Sequence, residues 1–71
     1  MMTWMMEIRT NETTISVVAE KDYLMQLKEE WKQNKDSGIL DVSGMCNNAK
    51  REGIEVSIRN EAIDVIAVFE I

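Results

Sequence analysis

Near the start of the chain, apolar and polar positions alternate: Trp4, Met6 and Ile8 point one way while Met5, Glu7 and Arg9 point the other. That two-residue period predicts a half-buried strand over residues 4–9. Thr10-Asn11-Glu12-Thr13 is polar turn chemistry, and Ile15, Val17 and Ala19 then alternate with Thr14, Ser16 and Val18. Residues 4–9 and 14–19 are therefore expected to pair as a hairpin.

The period changes after Glu20. Tyr23, Leu24, Leu27 and Trp31 fall within a sector of about 100° on a helical wheel, which predicts an amphipathic helix from about residue 21 to 35. Glu20 and Asp22 sit at its start and Lys32 and Lys35 near its end, as the helix dipole favours. Gly38 is expected to stop it by taking a left-handed conformation.

Ile39 to Ser43 reads as a short third strand, followed by a polar loop over 44–53 that contains Asn47, Asn48, Lys50 and Arg51. Ile54, Val56 and Ile58 resume the strand period, and Asn60-Glu61-Ala62 fits a single tight turn. From Ile63 onward, Ile63, Val65, Ala67, Phe69 and Ile71 form one face of a last strand, and Asp64, Ile66, Val68 and Glu70 the other. The fold class is thus α+β in ββαβββ order: a small curled, mostly antiparallel sheet with one amphipathic helix packed on one face. Residues 1–71 make a single domain.

The last strand is apolar on both sides, and one helix covers one face. Ile66 and Val68 are therefore expected to meet a second subunit, which makes the chain a homo-oligomer. Trp4, Met5 and Met25, with Met1 and Met2, add flexible apolar side chains suited to the same interface.

Composition narrows the chemistry. With 45% hydrophobic and 30% charged residues, the 71-residue chain has material for a folded core. Cys46 is the single cysteine and histidine is absent, which removes an intrachain disulfide, a thiolate zinc cage, imidazole ligands and a Cys–His nucleophile. No calcium loop or phosphate-cradling glycine loop is present. The chain is expected to be no enzyme, to carry no metal or cofactor, and to reside in the reducing cytoplasm. Its longest apolar run, Val65 to Phe69, is far short of the roughly 20 residues of a helical membrane span, so no membrane partner is expected. Eight basic against 13 acidic residues give a net charge of −5, which disfavours nucleic acid as a partner.

Function is then expected to be binding. A small acidic protein of this kind suits docking onto another protein and modulating it, most readily as an inhibitor, in the style of compact proteins encoded by phages and mobile elements. The alternative is an oligomer that sequesters a nucleotide-like anion, using the loop residues Asn47, Asn48, Lys50 and Arg51 together with Arg59 and Asn60. A third reading comes from Val56-Ser57-Ile58-Arg59-Asn60-Glu61-Ala62-Ile63, which resembles over about eight residues the second motif of Sm-like RNA-binding proteins. The resemblance implies an RNA-binding module. The family pattern has Gly where this chain has Asn60, and its helix precedes all five strands instead of following two.

Overall fold

A computed structural model describes residues 3–71; Met1 and Met2, counted above among the contact methionines, lie outside the described residues. The chain forms β1 (Trp4–Thr10), β2 (Thr14–Ala19), α1 (Lys21–Gln33), β3 (Ile39–Met45), β4 (Gly53–Arg59), a one-turn 3-10 helix (Asn60–Ala62) and β5 (Ile63–Glu70). The strands make one open antiparallel sheet in the order β4-β3-β2-β1-β5, with α1 packed against it. The α+β class and the ββαβββ order follow the sequence pattern. Among the described residues, no helix is long and apolar enough to cross a membrane.

The first hairpin closes through Thr10, whose hydroxyl accepts from the backbone N–H of Glu12 (3.2 Å) and Thr13 (3.1 Å). Leu24, Leu27 and Trp31 of α1 meet Met6, Ile8, Val17, Leu40, Val42, Ile63 and Ile66 in one core, with Tyr23 half-buried at its rim. This is the layer a single amphipathic helix supplies to a sheet.

Three expectations need correction. The helix ends at Gln33, with Asn34 as its cap: the Asn34 backbone N–H donates to Trp31 O and its Nδ2 donates to Glu30 O. Gly38 does not stop the helix. At φ 87° it turns the chain into β3, and its carbonyl accepts from the Asn60 backbone N–H (3.1 Å). The third strand does not end at Ser43 either. It continues through Gly44 to Met45, and that end supplies the one register pair, Val18 with Met45, that joins β2 to β3. Gly44 is needed at this crossing because a Cβ there would lie 2.6 Å from both Val17 Cγ1 and Val18 O.

The third correction is the most consequential. Arg9 pairs with Val65 and Thr10 with Ile63, so Asp64 is an extra residue that bulges out of β5 and breaks the alternation. Ile63 on one side of the bulge and Ile66 on the other therefore both reach the core. Ile66 is 4% exposed and Val68 packs against the same cluster. Both were expected to face a second subunit; instead they are covered by the chain's own core.

Candidate functional site

The loop between β3 and β4, residues 46–52, is built by its own side chains. Asn48 Oδ1 accepts the Arg51 backbone N–H at 2.9 Å, and the Asn48 carbonyl accepts the same N–H at 3.2 Å. Arg51 takes a positive φ of 49°, while its Nη1 donates to Asn47 Oδ1 at 3.4 Å. Cys46 N–H donates to Glu52 O at 2.7 Å and closes the loop. Both asparagines are thus engaged in making the turn. Lys50 remains an exposed cation with no ion pair among the described residues.

Arg59 and Asn60 stand at the other end of β4. Seven residues of strand separate the two groups by about 20 Å, so one chain does not gather the six residues of the expected anion site. Arg59 is exposed and 3.9 Å from Glu61. Asn60 is 5% exposed and belongs to the fold. Its Nδ2 donates to the carbonyls of Asn34 (3.1 Å) and Ser37 (2.9 Å), and its own carbonyl accepts from Trp31 Nε1 (3.2 Å). The side chain pins the connection after α1 to the 3-10 turn. Its Oδ1 is buried and accepts no hydrogen bond among the described residues.

The expected interface residues also divide. Trp4 lies on the helix side, where it packs against the core and the Lys21 ammonium sits 4.9 Å from its ring centroid. Met25 is exposed on α1. Met5 alone occupies the sheet face away from the helix.

That helix-free face carries the feature that sequence reasoning missed. Met6 and Val17 pair with each other and belong to the core, so by alternation their neighbours Met5 and Val18 turn to the opposite side. Met5 also pairs with Phe69, and Val18 pairs with Met45. The result is an apolar row, Met45–Val18–Met5–Phe69, that runs across four strands. Met5 and Val18, at the centre of the row, are 6% and 7% exposed and stand outside the core cluster. Met45 at its end is 49% exposed. Beside it, where β2 and β3 diverge, lies an open groove of about 640 Å³ lined by residues including Thr3, Val18, Ala19, Tyr23 and Met45.

Glu7, Asp41 and Glu55 share this face, and Arg9 on the same side lies 3.7 Å from Glu7. Asp41 accepts a hydrogen bond from the Ser57 hydroxyl. Among the described residues, no cluster of three or more Cys, Asp or Glu is arranged to hold a metal ion. Comparisons with family models, with curated proteins and with solved structures found no match.

Proposed function

We propose that this chain is a non-enzymatic binding protein that docks the helix-free face of its sheet on a partner protein and modulates that partner. The observation that carries the reading is the apolar row Met45–Val18–Met5–Phe69. A sheet face turned to water ordinarily alternates polar side chains outward, and a contiguous apolar patch rimmed by polar groups is the common form of a contact surface. Methionine at two of the four positions suits contact with an irregular surface, since its unbranched side chain adapts its shape. Glu7, Asp41 and Glu55 outnumber Arg9 and Arg59 on the same face, and with a net charge of −5 they favour a partner whose own apolar patch has a basic rim. An inhibitor that occludes a basic functional groove is the mode of modulation these features fit.

Photo-crosslinking tests this reading. A photoreactive side chain is placed at position 45, on the helix-free face, or at position 26, on the exposed side of α1, and each protein is exposed to extract of the source cells. The expected result is a discrete crosslinked protein from position 45 and none from position 26. Unlabelled wild type should compete for it, whereas Met45→Asp should not. Equal labelling from both positions, or labelling from 45 that wild type fails to compete away, would overturn the proposal.

A further inference from the structure

We infer that β5 pairs edge to edge with β5 of a second copy of this chain, about a two-fold axis at Val68, so that two five-stranded sheets become one. β5 is an outer strand of the sheet. It is also the more apolar of the two outer strands: β4 carries Glu55 and Arg59 on its outward side, whereas Val65, Ala67, Phe69 and Ile71 carry no charge there. A long apolar strand at a sheet edge presents unpaired backbone groups that template pairing with another chain.

Which backbone groups are free follows from one hydrogen bond. Ile71 N–H donates to Thr3 O at 2.9 Å, in line with the register that sets Trp4 against Glu70 and Met5 against Phe69. In an antiparallel ladder each residue directs its N–H and C=O to the same side, and that side alternates along the strand. Residues 65, 67, 69 and 71 therefore bond to β1, and Ile66, Val68 and Glu70 direct theirs to the open edge. Setting Val68 against Val68 of the second copy, and Ile66 against its Glu70, makes about six backbone hydrogen bonds.

The side chains select this register. With the axis at Val68, each Phe69 stands beside Ala67 of the second copy, large against small, and each Val65 stands beside its Ile71. Val65 and Ile71 are 48% and 47% exposed in the single chain, and the pairing covers both. An axis at Ala67 would set Asp64 against Glu70, two like charges directly opposed. An axis at Ile66 would run the pairing through the bulge at Asp64. The register at Val68 avoids both, and it joins the two helix-free faces into one surface. The inference stands on the edge geometry and does not depend on the proposed function.

An edge pairing of this size sits at the low end of specific interfaces, so the dimer dissociates on dilution. The test is light scattering over a concentration series, with charge changes at the facing pair. Wild type should rise with concentration from 8.2 kDa toward twice that mass. Val65→Lys with Ile71→Lys puts like charges opposite each other at both pairs and should weaken the dimer about tenfold or more. Val65→Lys with Ile71→Glu puts opposite charges there and should restore it. Hydrogen exchange on wild type supplies a reading that needs no variant: the amides of Ile66, Val68 and Glu70 should slow as concentration rises, while those of Ala67 and Phe69 stay slow throughout. A mass that stays at the monomer value, a dimer indifferent to both lysines, or failure of the Lys–Glu pair to restore it would each overturn the inference.

Discussion

Asn60 gives the sharpest distinction between a side chain that binds a ligand and one that holds the fold. Its Nδ2 donates to the Asn34 and Ser37 carbonyls, within an environment that leaves the residue 5% exposed. Asn60→Ala removes two hydrogen bonds, each contributing roughly 0.5–1.5 kcal/mol net, and leaves two carbonyls without their donor. Loss of Oδ1, which accepts no hydrogen bond among the described residues, offsets part of that. The net expectation is a destabilisation of about 2 kcal/mol, or a fall in Tm of roughly 8–16 °C for a domain of this size.

Asn60→Asp should be worse. It places a carboxylate oxygen against two carbonyl oxygens, and an unpaired buried charge costs about 3–5 kcal/mol. Acidification should narrow the gap between the Asp and Ala variants, because a protonated carboxyl can donate one of the lost bonds. Urea unfolding of the three proteins at pH 7 and pH 5 is the assay. Near-equal stability of wild type and Asn60→Ala, or an Asp variant no weaker than the Ala variant, would refute the structural role.

Four further outcomes follow from the packing. Gly44→Ala should destabilise the fold by about 2 kcal/mol, since its Cβ would meet Val17 Cγ1 and Val18 O at 2.6 Å; calorimetry showing an unchanged Tm would contradict the crossing geometry. Trp31→Phe should cost about 1–2 kcal/mol in urea unfolding, because the Nε1 bond to the Asn60 carbonyl is buried. Deleting Asp64 removes the extra residue and leaves Ile63 opposite Thr10 and Val65 opposite Arg9, so Ile63 should stay in the core and the loss should fall short of the roughly 1.5–3 kcal/mol of an apolar side chain turned out to water, as read in the same assay. Lys50→Ala with Arg51→Ala should leave stability within about 0.5 kcal/mol and leave position-45 crosslinking intact; loss of crosslinking would shift the contact surface to the loop.

Local pattern was enough for most of the fold. The strand period of residues 4–8, the wheel sector of Tyr23, Leu24, Leu27 and Trp31, and the polar turn at 10–13 each belong to one element, and each formed where the residues indicated. What stayed hidden depends on two elements meeting. Gly44 reads as a turn residue in isolation, and only the approach of Val17 and Val18 shows why a strand carries it. Asn60 resembles an exposed turn cap until the Asn34 and Ser37 carbonyls are beside it. The bulge at Asp64 has no signature in β5 alone, because Ile63, Val65, Ile66 and Val68 are all apolar and either phase of alternation looks acceptable. That ambiguity assigned Phe69 to the helix side and Ile66 to a partner, so the row through Met5 and Val18 could not be seen.

The phase of β5 decides which side chains the chain keeps and which it offers, and NMR cross-relaxation reads that phase directly. Methyl groups of Ile63, Ile66 and Val68 should contact Leu24, Leu27 or Trp31, while the Phe69 ring contacts Met5 and no side chain of α1. Cross-peaks from Phe69 and Val65 to the helix, with Ile66 and Val68 turned away from it, would contradict the assignment of the helix-free face as the docking surface.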